Sequence, residues 1–324
     1  MCSFSLHVFT VKVSKLTSFT RNLKGLIEVY LKLRTETGLL IRMPVHAQAY
    51  RIGGADQYPM ITKKTYRGIG ELEIPYIPGS SLKGRMRGLL ELALGKKLYS
   101  SDQKIWQHVR GIAMDFPDLE ADIRERCIID ELFGYAAVNY KQLKEMAEKK
   151  VGETRAEAIA SQLFSNLAIT RILVDDFFPT EEFINRTRAR SIADFLEEKS
   201  ENRIDRVTSA ADPRDIVRVK PGVEFEGKLT LLLFDNDSDM VEKYLKTITA
   251  GLRLIEETYL GGSGSRGYGR IKFIEIGVEA LKIAVSDGTL KLEKTSIGKY
   301  SNIAELEEKI SDLSGKIREY IFAK

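Results

Sequence analysis

The sequence predicts an α+β fold with a ferredoxin-like order of elements, and three stretches carry that expectation. Leu26 to Arg34, LIEVYLKLR, sets apolar Leu26, Ile27, Val29, Leu31 and Leu33 among polar neighbours, the pattern of a half-buried strand. PGSSLKGRMRGLLELAL, ending at Leu94, leaves a turn and enters helical spacing, with Leu82, Met86, Leu89, Leu90 and Ala93 forming one apolar face. Val223 to Phe234, Asp239 to Tyr259 and Arg270 to Ile276 read as strand, amphipathic helix and strand. With a strand at Leu167 to Val174 between the two helices, the order is strand, helix, strand, strand, helix, strand, which is ferredoxin-like.

Residues 1–25 form an N-terminal extension. Its start, MCSFSLHVFTVKVSKLTSF, is interrupted by Lys12 and Lys15, unlike a signal peptide, and reads as an extra strand or an overlong translation start. The core spans 26–280. After the first strand, Thr37 to Tyr50 is a second extended run, and Arg51 to Gly70 is a long loop rich in Gly, Lys and Arg with Tyr58 and Tyr66 interleaved. Glu71 to Ile77 leads to the first helix, where Ser80 or Ser81 is placed to cap backbone N–H groups. Lys83, Arg85 and Arg87 fall in its first two turns and add to the positive end of the helix dipole, an arrangement suited to an anion.

An insertion over 98–165 reads as helical, including Asp118 to Phe133 and Val138 to Ala147. Phe177, Phe178 and Pro179 close the strand at 167–174. Thr180 to Gly222 is polar and rich in arginine, without the periodicity of a packed core, and fits a protruding arm. Residues 281–324 form a C-terminal extension with an amphipathic helix on Ile303, Leu306, Ile310, Leu313, Ile317 and Tyr320, capped by Ser301 or Asn302.

Composition narrows the function. The 324 residues carry 50 Lys plus Arg against 46 Asp plus Glu, a net charge of +4, so nucleic-acid binding has to be argued from where the cations cluster. Two cysteines, Cys2 and Cys127, make no disulfide framework, and no run is long and apolar enough for a membrane span, so the expectation is a cytoplasmic protein without a membrane partner.

Gly262, Gly264 and Gly267 match the dinucleotide fingerprint by spacing, but a helix precedes them and a strand follows, the reverse of what that fingerprint needs. The turn instead offers backbone N–H groups beside Ser265, Arg266 and Tyr268, suited to a phosphate and a stacked base or ribose. His7, His46 and His108 are scattered, and His108 with Cys127 lacks zinc-site spacing, so no metal site is assigned.

Three segments together carry a resemblance: PGSSLKGRMRGLLE, NRIDRVTSAADPR from Asn202 to Arg214, and LGGSGSRGYGRIKF from Leu260 to Phe273. They resemble signature segments of the RAMP superfamily, and within it the repeated backbone subunit of type III-A (Csm-type) CRISPR-Cas effector complexes. The resemblance implies an RNA-recognition-motif-like core with a helical insertion and a protruding thumb over 176–222. It also implies a filament of copies along a guide CRISPR RNA, other type III effector subunits as neighbours, and a paired target RNA cut at regular intervals. On that resemblance Arg51, Ser80, Ser81, Lys83, Arg85, Arg87, Arg203, Arg206, Arg214, Gly262, Gly264, Ser265, Arg266 and Tyr268 contact RNA. The acidic residue that relatives need for cutting matches Asp56 in GGADQYPMI, where Gln57 and Tyr58 stand in place of a single small residue. Magnesium or manganese is the implied cation, and some relatives bind zinc in the insertion.

Chemically, one carboxylate can accept a 2′-hydroxyl proton or hold a divalent cation, leaving in-line geometry to the RNA. Two alternatives stay open: the same scaffold without cutting activity, and a stand-alone guide-precursor endonuclease using His46.

Overall fold

The computed structural model describes residues 20–44, 57–100, 102–108, 126–134, 140–167 and 169–323. The expected N-terminal strand, Arg51, Asp56, His7, His46 and the first half of the helix expected at 118–133 lie outside these residues.

Strand β1 (Leu23–Thr35) is the centre of the sheet. It pairs antiparallel with β8 (Glu224–Phe234) on one side and β9 (Ile271–Ser286) on the other. The short β4 (Ile172–Val174) flanks β8, so the order β9-β1-β8-β4 is the ferredoxin-like arrangement expected from the sequence. Register follows from burial. Ile27, Val29, Leu31 and Leu33 face the core opposite Leu231, Leu229, Gly227 and Phe225, and a one-residue slip would turn them all to solvent.

Three helices cover that face: α1 (Gly79–Ala93), α6 (Val241–Glu257) and α7 (Ile303–Phe322). A Cβ at Gly251 of α6 would collide with Met86 of α1, so glycine permits the close crossing. Asn302 caps α7 by accepting from the Glu305 N–H at 2.9 Å, one of the two capping residues expected. Ala93, expected on the buried face of α1, is exposed, because the helix ends there and its last turn leaves the sheet.

Several expectations need correction. α1 has Pro78 as its N-cap and no side-chain cap from Ser80 or Ser81; instead the Gly79 N–H donates to Asp176 Oδ1 at 2.8 Å. The 51–70 loop contains β2 (Ile61–Tyr66), paired with β3 (Gly70–Pro75) across a turn where Gly68 has φ of 72°. Within the run expected over 37–50, the described residues make only isolated bridges at Leu39 and Arg42.

The strand expected from Leu167 starts later, because helix α4 (Glu153–Leu167) continues to that residue. Phe178 and Pro179 do not merely end a strand; they form β5 on the lower half of β8. The core boundary at 280 falls inside β9, and the extension contributes β10 (Thr289–Tyr300), an edge strand whose exposed, lysine-rich face hid its alternation. The insertion is helical as expected. It holds α2 (Ile128–Phe133), α3 (Tyr140–Val151) and α4, the last two packing on their own small core around Leu143, Ala156 and Leu163. No described helix is long and apolar enough to cross a membrane.

A buried ionic network joins the insertion to the sheet. Asp237, after β8, accepts from Arg171 Nε at 3.0 Å and from Arg126 Nη2 at 2.7 Å, while Glu131 of α2 accepts from Arg126 at 2.7 and 2.8 Å and from the Tyr244 hydroxyl of α6 at 2.5 Å. Burial alone would raise the Asp237 carboxyl, but Arg171 and Arg126 outweigh it and hold the group below its ordinary value. Asp237→Ala leaves both guanidiniums without their shared carboxylate and is expected to cost about 3–5 kcal/mol in urea unfolding. The sign of the pH effect follows from the depressed value. The stabilisation is complete above the unfolded carboxylate pKa of about 3.9 and is lost as pH falls through the lower folded value, so acid unfolding of Asp237→Asn should show a shallower pH dependence than wild type.

Candidate nucleic-acid interface

The arginine-rich segment begins with a packed root. Helix α5 (Glu181–Thr187) is capped by Thr180, whose hydroxyl accepts from the Phe183 N–H at 3.0 Å, and a single 3-10 turn over Ile192–Asp194 follows. Then β6 (Leu196–Ile204) and β7 (Ala211–Val219) form a two-stranded hairpin. Phe195, Ile216 and Val219 are buried at its base, whereas residues 202–215 are exposed and Val207 at the tip is 92% exposed. The protruding part is therefore narrower than 176–222. Asp205 shapes the tip by accepting from the N–H groups of Val207 at 3.0 Å and Thr208 at 2.7 Å.

The Gly-rich turn lies against this base. Gly261, Gly267 and Gly269 have positive φ, and a Cβ at Gly269 would collide with the Leu260 carbonyl. The Gly262 N–H donates to Leu40 O at 2.7 Å and the Gly269 N–H to Gly38 O at 2.9 Å, which fixes the turn on the chain that leaves β1. Ser265, Arg266 and Gly267 form its exposed crest, with Arg266 Nη2 donating to Ser263 Oγ at 2.7 Å.

Tyr268 is fully buried, so it is no open platform for a base. Its hydroxyl donates to Glu201 of β6 at 2.6 Å, with Arg218 lying 4.4 Å and Lys199 4.7 Å from the ring centroid. Burial and the Glu201 carboxylate push the phenol up to about 12. The residue joins the Gly-rich turn to the hairpin.

Two further segments meet here. Leu39 pairs with Val219, and Gln57 bridges to Ile216, with the Val217 N–H donating to Gln57 O at 3.0 Å. Gln57, Asp212, Pro213 and Arg214 line a cleft of about 320 Å³. Asp212 pairs with Arg203 at 3.0 Å and with Arg214 at 3.5 Å, while Arg206 makes no hydrogen bond or ion pair among the described residues. Sequence reasoning missed Arg42, an exposed cation whose Nε lies 3.7 Å from where a Cβ of Gly262 would be. No motif marks it; only the bridge from Arg42 to Pro59 brings it beside the turn.

The cations of α1 are placed differently from expectation. Lys83 Nζ donates to Ile172 O at 3.1 Å, and burial followed by the Arg87 charge lowers its pKa. Arg85 Nε donates to Tyr259 O at 3.0 Å and lies 4.0 Å from that ring's centroid. Arg87 pairs with Glu91 at 2.7 Å and donates to the carbonyls of His108 at 2.7 Å and Gly134 at 3.3 Å. All three side chains thus carry intrachain contacts, and Asp176 occupies the helix N-terminus. Ser80 is exposed and Ser81 half-buried beside it. His108 and Cys127, too far apart in sequence for an expected metal site, are brought together with Asp130.

Comparison with known proteins places this geometry. The family model described as the RAMP superfamily matches residues 68–272. The "CRISPR system Cms endoribonuclease Csm3" of Methanothermobacter thermautotrophicus is 33% identical over 271 residues, covering 83% of this chain and 91% of that protein. The protein of the same name from Streptococcus thermophilus is 32% identical over 249 residues, covering 76% of this chain and 86% of the relative. The Methanopyrus kandleri Csm3 crystal structure superposes with a TM-score of 0.51 at 19% identity, covering 91% of this chain and 98% of that one, a likeness of fold.

If the exposed tip and the buried link have different roles, substitution separates them. Tyr268→Phe should lower stability by about 1–3 kcal/mol through loss of the bond to Glu201. Arg206→Ala should change stability by less than about 0.5 kcal/mol yet reduce the salt slope of guide-RNA binding by about one, measured by filter binding across a salt series.

Proposed function

Because the chain belongs to the RAMP superfamily and, within it, to the Csm3 family, we propose that it is the repeated backbone subunit of a type III-A CRISPR-Cas effector complex. In this reading copies assemble along a guide RNA beside other type III subunits, and the paired target RNA is cut at regular intervals. The observation that carries the reading is the anchoring of Gln57 on β7 beside the cleft at Asp212 to Arg214. Gln57 directly follows Asp56, the residue matched to cutting, in the chain, and Gln57 is held next to the root of the arginine-bearing hairpin.

The roles divide by chemistry. Arg42, Arg203, Arg206, Arg214 and Arg266 supply charge for phosphates, and the crest at Ser265 to Gly267 brings backbone close to the strand. Contacts of this kind fix register without reading sequence, as a subunit that accepts any guide requires. Asp56 takes the proton of the attacking 2′-hydroxyl or holds a cation, and the duplex distorted at the hairpin provides in-line geometry. Magnesium or manganese would stabilise charge at the scissile phosphate, with Asp56 as the residue to hold it. Lys83, Arg85 and Arg87 are assigned to supporting the helix that frames the site.

Complexes reconstituted with wild-type or Asp56→Ala chain test this. Equal guide loading with a loss of cutting of at least about a hundredfold is the expected result for removal of an acid–base group, together with loss on chelation and recovery with Mg²⁺ or Mn²⁺. Unchanged cutting by Asp56→Ala would move the catalytic group elsewhere, and guide loading without cutting by either form would leave a binding scaffold.

A further inference from the structure

Tyr268 follows the crest of the Gly-rich turn and ties it to the hairpin. A second ring, Tyr259, precedes the crest and ties it to α1. Tyr259 is half-buried where the chain leaves α6, and Arg85 of α1 reaches it there. Arg85 Nε donates to Tyr259 O at 3.0 Å, Arg85 Nη2 donates to Thr258 Oγ1 at 3.4 Å, and the guanidinium carbon lies 4.0 Å from the centroid of the Tyr259 ring. The hydrogen bonds fix the guanidinium fork, and the ring lies within range of cation–π attraction, so backbone and side chain of Tyr259 are both held. The cation also sits at the carbonyl end of α6, where the helix dipole favours positive charge.

The ring in turn meets the crest. A Cβ at Gly264 would collide with Cγ and both Cδ atoms of Tyr259, so the backbone of the 3-10 turn Gly264–Arg266 rests directly on the ring. Only glycine permits that approach. The residue before it is strained: Ser263 has φ of 59°, a left-handed conformation that a side chain bearing a Cβ rarely adopts. Such a conformation persists where the surroundings enforce it. Here they are the bond from Arg266 to Ser263 and the seat of Gly264 on the ring. The exposed residues Ser265 to Gly267 therefore take their position from Tyr259.

We infer that Tyr259, clamped by Arg85, is a positioning residue for RNA binding: it sets where the crest presents its backbone N–H groups and Arg266 to a phosphate. The inference rests on the proposed contact of the crest with RNA. Arg85 acts through Tyr259, and Tyr259 acts through Gly264, so α1, the end of α6 and the turn move as one unit. Donors reach a phosphate oxygen only at about 2.7–3.2 Å. A shift of the crest by about 1 Å is enough to forfeit the contact.

Binding of a guide RNA to the full-length chain, measured by filter binding across a salt series, is the test. Tyr259→Ala and Gly264→Ala change no charge, yet each should weaken binding at least about tenfold, as for loss of one hydrogen bond to a charged group, and lower the salt slope by about one. Together they should weaken binding little more than either alone, because both displace the same crest. Tyr259→Phe keeps the ring and should restore the wild-type slope. Circular dichroism identifies a variant that fails to fold, and Tyr259→Leu, which keeps apolar volume without a flat face, then replaces Tyr259→Ala. Arg266→Ala separates the inference from the reading beneath it: unchanged affinity and slope in that variant would remove the crest from the RNA contact altogether. Weakened binding by Arg266→Ala beside wild-type binding by Tyr259→Ala would overturn the positioning role alone. So would single effects that multiply to about a hundredfold in the double variant, or a Tyr259→Phe as weak as Tyr259→Ala.

Discussion

The hydrogen bond from Tyr268 to Glu201, inside the contact of the Gly-rich turn with the hairpin base, is the interaction on which the candidate site depends. It joins segments 67 residues apart, and the pairings of Leu39 with Val219 and Gln57 with Ile216 add two more distant stretches. No one of these segments forms the site alone. A ferredoxin-like sheet makes the meeting possible because β1 and β9 are neighbours, so the chain leaving one and the turn entering the other emerge at the same end of the sheet.

The other face of the sheet shows what the site is not. Glu28 accepts from Lys228 at 2.7 Å and Lys294 at 2.6 Å, Lys294 also reaches Glu279 at 2.6 Å, and Lys299 pairs with Glu275 at 2.9 Å. Burial would raise Glu28, but the lysines and Tyr30 hold it at about 2, so the carboxylate stays charged through the neutral range. A phosphate arriving here would have to displace carboxylates already bonded to those lysines. At the hairpin, Arg203 and Arg214 share the single carboxylate of Asp212, and Arg206 has no ion pair among the described residues, so a phosphate there would meet at least one cation with no carboxylate to displace.

Much of this was legible in the sequence where a periodic pattern met a single environment. The alternation of β1, the spacing of α7 and its cap, and the glycines of the turn all follow from local chemistry. Legibility failed where tertiary contacts decide. Asp176 replaces a serine as the α1 cap only because β5 brings it there, and Lys83, Arg85 and Arg87, read as a cationic face, find backbone carbonyls and Glu91 that no spacing reveals. Tyr268 reads as a stacking residue between two glycines, yet it is buried although it directly follows the exposed crest. Arg42 and the meeting of His108 with Cys127 left no sequence signal, since each depends on pairing between segments that only the fold brings together.

The placement of RNA at the hairpin root is tested most directly by photo-crosslinking a 4-thiouridine guide in the assembled complex and mapping the attached peptides by mass spectrometry. Crosslinks are predicted on the 203–214 hairpin, the Gly262 to Gly267 turn and the segment at Gln57. Crosslinks confined to Tyr30, Phe178 and the strands of the open sheet face would contradict it.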